Sequence, residues 1–304
     1  MLQLKDFRVK WRWVFASFLA IGLVTAHQFW KAASYDGGQQ AVAPFRIAGN
    51  LYYVGANDVT AFLITGPQGH VLIDGGYPGT ARLIIASIKK LGFRIEDVRL
   101  LLNSHGHFDH AGGLAELKRA SGAQLWVSEG DADAVESGGA ADQSSGPLRF
   151  LAASGLLAFP GAKVDRRIAD GAIASVGPVK LTAHITPGHT RGCTSWSFPV
   201  RDAGRDLLAV NICSLSPSPF EPIGRRGDYP GVKQAFGQSL GRLKALQADI
   251  YLTPHARDFG RWRKLQERQA GTDPAKPFID PEGYQAALAK AETKFARYLN
   301  EQLN

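Results

Sequence analysis

Asn103-Ser104-His105-Gly106-His107-Phe108-Asp109-His110-Ala111-Gly112-Gly113 is the stretch on which the reading of this chain turns. Three histidines and one aspartate fall within six residues. Groups of this kind are costly to keep inside a protein unless something ligates them. Imidazole nitrogen and carboxylate oxygen are zinc ligands, with bonds of about 2.0–2.2 Å. The mostly apolar run Val98–Asn103, broken only by Arg99, reads as a strand buried on both faces, and the motif leaves it directly. In an extended stretch His105 and His107 are two apart and point the same way. Asp109 and His110 lie on the turn into a helix over Ala111–Ala120 and aim elsewhere. Such a layout suits two neighbouring metal ions better than one.

Outward from the motif, strands and helices alternate in two rounds. On the N-terminal side, Leu51–Val54, Val59–Thr65 and His70–Asp74 are short β-branched or apolar runs punctuated by Gly, Asn and Pro, which predict an antiparallel meander. Thr80–Leu91 carries Leu83, Ile84, Ile88 and Leu91 at helical spacing and stops at Gly92. On the C-terminal side, strands are expected over Gln124–Ser128, Val164–Ile168, Ala172–Val176, Val179–Ile185, Thr194–Phe198, Leu207–Ile212 and Ile250–Thr253. Helices are expected over Val232–Leu246 and Pro281–Leu299. Residues 137–147 and 214–230 read as loops. Two rounds of strands followed by helices suggest two packed sheets with helices outside, in one catalytic domain from residue 43 to 304.

The first 26 residues stand apart. Lys5, Arg8, Lys10 and Arg12 form a basic region, followed by the uncharged Trp13–Ala26 and by small residues at Val24-Thr25-Ala26. This is signal-peptide length, short of the roughly 20 apolar residues that span a bilayer. An uncleaved N-terminal anchor is the other reading, and residues 27–42 form a linker in either case. These 26 residues hold four Lys/Arg and one Asp, so five of the chain's eight net positive charges belong to the remainder. That mild excess, with no basic stripe interleaved with aromatics, disfavours nucleic acid as a partner. An exported chain with two cysteines, Cys193 and Cys213, is expected to pair them.

Two further histidines sit in loops after strands: His189 in Thr186-Pro-Gly-His-Thr-Arg-Gly192, and His255 in Leu252-Thr-Pro-His255. Each alone reads as an ordinary loop histidine. Beside the motif they become the missing ligands, because four ligands are too few for two zinc ions.

The pattern His105-x-His107-x-Asp109-His110, with His189 and His255 behind it, resembles the metallo-β-lactamase superfamily from Pro44 to His255, and within it the third subclass of class B β-lactamases. The resemblance implies an α/β (α+β) fold: a four-layer αβ/βα sandwich of two mixed sheets, helices on the outer faces, and a di-zinc site at one edge. It assigns His105, His107 and His189 to the first zinc and Asp109, His110 and His255 to the second. Di-iron relatives carry Glu in place of His107. Thioesterase- and lactonase-like members carry a bridging Asp after a late strand, where this chain has Val210-Asn-Ile-Cys-Ser-Leu-Ser216. The first β-lactamase subclass uses a cysteine ligand at the position of Ser214 and lacks His110. Placing Ser214 towards the metals puts Cys213 beneath it, next to Cys193, which favours a disulfide over a zinc thiolate.

The expected activity is opening of the β-lactam ring of penicillins, cephalosporins and carbapenems by a zinc-activated hydroxide attacking the amide carbonyl. Asp109 is expected to act as both ligand and orienter of that hydroxide. Ser214 and Ser216 are expected to bind the substrate carboxylate, and Arg225 and Arg226 are candidates to assist. Hydrolysis of a lactone, ester or thioester is the alternative, and a non-catalytic exported zinc-binding protein is a third reading. The cofactor expectation is two zinc ions. The expected partner is a small-molecule β-lactam, with no nucleic acid, no stable membrane contact after signal cleavage, a monomeric state and a periplasmic location. Gly106, Arg191 and Ala256-Arg257 depart from the family's common Ala, Pro and Pro-Gly, and segment 137–160 has no counterpart.

Overall fold

The computed structural model describes residues 38–140, 158–216 and 231–301. The expected signal peptide, most of the linker, most of segment 137–160, and Arg225 and Arg226 lie outside the described residues.

Seven strands form the first sheet in chain order: β1 (Phe45–Ala48), β2 (Leu51–Tyr53), β3 (Phe62–Ile64), β4 (His70–Ile73), β5 (Val98–Leu102), β6 (Gln124–Ser128) and β7 (Arg166–Ile168). The first four are an antiparallel meander, and β4 to β7 are parallel. Both faces of β4 and β5 are covered, which is why Val71–Ile73 and Leu100–Leu102 are continuous apolar runs. Leu100 and Leu102 of β5 face the second sheet, while Leu101 faces helices; Val71, Ile73 and Leu72 of β4 divide the same way. The helices on that outer face are α1 (Thr80–Lys90), α2 (Phe108–Ala111), α3 (Leu114–Ser121) and α4 (Glu129–Glu136), which contribute Ile84, Ile88, Leu117, Ala132 and Val135.

The second sheet comprises β8 (Ile173–Val176), β9 (Val179–Ile185), β10 (Thr194–Asp202), β11 (Arg205–Asn211) and β12 (Ile250–Leu252), with only β11 and β12 parallel. The β10–β11 hairpin turns on Ala203 and Gly204, both at positive φ, as a tight two-residue turn requires. Its outer layer is α5 (Val232–Ala245), α6 (Arg261–Ala270) and α7 (Pro281–Glu301); Phe236 of α5 and Phe295 of α7 meet at 4.9 Å between ring centroids. Trp196 and Phe198 of β10 and Phe62 of β3 fill the space between the sheets. This is the expected sandwich of two mixed sheets between helical layers.

The differences from the sequence reading have local causes. The expected helix over Ala111–Ala120 is broken between α2 and α3 at Gly112–Gly113. A Cβ on Gly113 would lie 2.2 Å from Gly75 O, because the loop after β4 crosses the motif helix there; Gly75 N donates to His110 O at 2.8 Å and Gly113 N to Gly76 O at 3.1 Å. Helix α6 has no apolar stripe. Its buried positions are Arg261 and Lys264. The Arg261 guanidinium lies over the Tyr53 and Trp262 rings and donates to Asn57 O. The Lys264 ammonium lies 2.8 Å from Asp280 and over Tyr251. Strand β1 and helix α4 are additional elements.

The topology brings one edge of both sheets to the same place. The ends of β4, β5, β9, β11 and β12 and the start of β10 all open there, the location that open α/β sheets favour for ligand sites. Thr194 N donates to Ser104 O at 2.7 Å and Trp196 Nε1 to Asn103 O at 3.2 Å, so the second sheet is pinned directly beneath the motif.

Candidate metal centre

Asp74, at the end of β4, aims the motif. Its φ of +65° is a left-handed conformation that Asp tolerates better than most residues. Its carboxylate accepts from Ser104 N at 2.7 Å and Asn103 Nδ2 at 3.1 Å. Burial raises its pKa, with His110 and the hydrogen bonds from Ser104 and Asn103 pulling the other way.

From that anchored start the motif delivers its rings into one cluster. His105 and His107 centroids are 4.8 Å apart, His105 and His110 4.3 Å, and His105 and His189 4.7 Å; His107 and His189 stand at 4.8 Å. Ligand atoms of His105, His107 and His189 all lie within 4.8 Å of one another, and so do those of His105, Asp109 and His110. His255 faces the second trio, with Nε2 3.6 Å from Asp109 Oδ2 and its ring 5.1 Å from that of His110. All six expected ligands therefore meet at the sheet edge, with His105 shared between the two close trios and His255 at the rim.

A metal fits this cluster better than protons do. His105 Nδ1 is held by Ser104 Oγ at 3.1 Å, and its Nε2 is buried without a hydrogen-bond partner. Both ring nitrogens of His110 are buried without one as well, although Nε2 is 3.2 Å from Asp109 Oδ2. Burial and the neighbouring histidines push His105 far below the usual histidine range and His189 down to about 3. Burial would raise Asp109, but His110, His107 and His255 bring it well below the ordinary carboxylate range. Against the effect of its burial, Asp109 raises the pKa of His110; neutral His105 and His189 beside one ionised carboxylate belong to a donor set suited to zinc.

The remote histidines are held from behind. Ser216 O lies 3.1 Å from His189 Nδ1, which leaves Nε2 for the site. Asp58 Oδ2 lies 3.1 Å from His255 Nδ1, a carboxylate–histidine arrangement that fixes the ring's orientation. The Asp58 carboxylate also accepts from Arg257 N at 3.1 Å and from the Arg257 guanidinium, so Arg257, a departure from the family pattern, has a use. Burial would raise Asp58, but His255 and Arg257 keep its carboxyl below the usual range. Neither Asp58 nor Asp74 was singled out by sequence reasoning; each is an Asp in a turn, and only its distant partners distinguish it.

Cys193 and Cys213 are joined with Cα atoms 5.7 Å apart, linking the start of β10 to the segment after β11. This excludes Cys213 as a thiolate ligand in this form. Ser214 follows it, but its hydroxyl donates to Ser216 O at 2.9 Å, within its own turn.

These features define a protein class. A model of the metallo-beta-lactamase superfamily matches residues 54–203, and solved structures of that class match along nearly their whole length; the chain belongs to this superfamily of metal-dependent hydrolases. More particularly, it is similar to the native FEZ-1 metallo-beta-lactamase from Legionella gormanii, with 36% identity, a TM-score of 0.81, and coverage of 88% of this chain and 98% of that one. It is also similar to BJP-1, a subclass B3 metallo-beta-lactamase of Bradyrhizobium japonicum, with 32% identity, a TM-score of 0.80, and coverage of 88% and 97%. Among curated relatives, a hydroxyacylglutathione hydrolase of Hyphomonas neptunium is 27% identical over 190 residues, 62% of this chain; the chain spans only 59% of that relative's length.

Proposed function

We propose that this chain is a di-zinc β-lactamase of the B3 type, with His105, His107 and His189 holding one zinc and Asp109, His110 and His255 the other. One observation carries the choice of substrate. The end of β11 reaches the centre as Asn211-Ile-Cys-Ser-Leu-Ser216, without the carboxylate that the thioester- and lactone-cleaving branches carry there. Zinc, when bound, lowers the pKa of a coordinated water towards neutral and polarises a substrate carbonyl.

The chain's own residues do the rest. Asp109 remains ionised, so one carboxylate oxygen can ligate while the other accepts a hydrogen bond from the attacking water and orients it. Ser104 Oγ and Ser216 O, on the Nδ1 atoms of His105 and His189, keep those rings turned inward. Ser216, and Ser214 once released from its turn, lie on the segment that would meet a substrate carboxylate; Arg225 and Arg226 belong to the same stretch of sequence. Residues 1–26 direct export, which gives a periplasmic enzyme acting on antibiotics. Among the described residues no helix is long and apolar enough to cross a membrane.

The names of the curated relatives favour a second reading, hydrolysis of a hydroxyacyl thioester at the same centre. Side-by-side assay of the purified protein on a chromogenic cephalosporin, a carbapenem and a hydroxyacylglutathione separates the two. β-Lactam turnover abolished by a chelator is the expected result. Thioester turnover without β-lactam turnover replaces the first reading with the second.

A further inference from the structure

The geometry points to Asp131 as the positioning residue of the first zinc site: one buried carboxylate, not itself a ligand, that fixes the two loops carrying His105, His107 and His189. The inference rests on the zinc reading above. Asp131 lies in the first turn of α4 and is 4% exposed. Its Oδ2 accepts from Gly106 N at 3.0 Å and from Thr190 Oγ1 at 2.6 Å, and its Oδ1 accepts from Gly192 N at 2.9 Å. Gly106 stands between His105 and His107, and Thr190 follows His189. Both sides of one metal trio are therefore tied to a single side chain. None of these three bonds reaches Asp109, His110 or His255.

The backbones at this junction are too close for the loop to shift independently of α4. A Cβ on Gly192 would lie 2.2 Å from Ser128 Oγ and 2.6 Å from Asp131 Cγ; one on Gly130 would lie 2.7 Å from Gly192 N. Gly192 O in turn accepts from Ser128 Oγ at 2.5 Å and Thr194 Oγ1 at 2.7 Å. On the motif side, a Cβ at Gly106 would stand 3.1 Å from Ala134 Cβ, so α4 packs against the motif's backbone as well. Only an acceptor on both oxygens serves three donors that approach from two loops. An asparagine would turn an amide NH2 towards one of them and leave it unpaired.

The test compares the full chain with its Asp131→Asn, Thr190→Val and Thr190→Ser variants. The readouts are stepwise zinc affinities by competition with a chromophoric chelator, the ligand-field spectrum of the cobalt(II) forms, and the melting temperature of the metal-free proteins. Outer partners of metal ligands are typically worth about 10–100-fold in affinity. Asp131→Asn is expected to weaken one zinc equivalent by about that factor, leave the other within threefold, and alter the cobalt spectrum. Thr190→Val, which keeps the shape and removes one donor, is expected to weaken the same equivalent by a smaller factor, and Thr190→Ser to restore it. Thr190→Val also keeps the test decisive if Asp131→Asn fails to fold. Unchanged affinities, equal weakening of both equivalents, or a lowered melting temperature alone would overturn the inference. A parent chain that binds no zinc would instead remove the zinc reading, a separate failure.

Discussion

Two loops of the second sheet each deliver one histidine to the centre, and they are secured by different physics. The His189 loop lies between backbones too close for a side chain. It is held by uncharged donors to a buried carboxylate and is stapled at its base by the Cys193–Cys213 disulfide. The His255 loop is held by Asp58, whose partners are the His255 ring and Arg257, with the Arg257 side chain 52% exposed. A buried carboxylate with donors on both oxygens is little affected by salt and intolerant of change, whereas an ion pair near solvent is screened. One half of the centre is therefore built as a fixed seat and the other as an adjustable one.

Removing the two histidines should break the centre most severely and in different places. His189→Ala and His255→Ala should each lose one zinc equivalent, but not the same one, with β-lactam turnover falling on the order of a thousandfold, about 4 kcal/mol of barrier. Metal analysis of the two variants and of their combination checks this; loss of the same equivalent in both would merge the two halves into one.

Next in size is the staple. The disulfide closes a loop of 20 residues, worth about 3 kcal/mol in the chain-entropy account. Cys193→Ala with Cys213→Ala should lower the melting temperature by roughly 6–12 °C, and calorimetry of the metal-free proteins measures it. The His255 half should keep its zinc affinity in this variant.

Most of the candidate site was legible in the sequence because its expected ligands announce themselves. Four of them fall within the six residues from His105 to His110, and the other two follow strand ends in Pro-containing turns. The alternation of two apolar faces on β4 and β5 likewise made the buried sheet readable. What stayed hidden depends on distance in sequence. Asp58, Asp74 and Asp131 look like ordinary turn or helix-start aspartates until partners 197, 30 and 59 residues away are in place. Helix α6 escaped because its buried face is made of Arg261 and Lys264, which no apolar periodicity detects. The break at Gly112–Gly113 follows from a loop crossing that local propensity does not encode.

Asp58→Asn sharpens the contrast at smaller scale. It should weaken the zinc equivalent served by His255 by about tenfold. In about 1 M NaCl, where the screening length falls to about 3 Å, the gap between parent and Asp58→Asn should narrow, while the gap between parent and Thr190→Val should not. Affinity titrations at two salt concentrations read both; equal salt dependence would contradict the distinction between the loops.

The smallest effect lies far from the centre and serves as a reference. The hydrogen bond from Gly49 N, then Arg205 and Arg46, hold the Asp202 carboxyl below its ordinary range. A carboxyl whose folded pKa is depressed contributes stability that is fully present above its unfolded value, near 4, and is lost as pH falls through the folded value. Asp202→Asn should therefore cost about 1 kcal/mol at pH 7 and progressively less below about pH 4, with zinc binding unchanged. Urea unfolding across that pH range checks the sign.

The proposed two-zinc centre that opens β-lactams is put to its sharpest test by returning zinc stepwise to the chelated full-length protein while following cephalosporin hydrolysis. No turnover without metal, two bound equivalents at saturation, and turnover restored as they fill are the expected results. A protein that binds two zinc ions yet leaves every β-lactam intact, or that hydrolyses β-lactams equally well without metal, would contradict it.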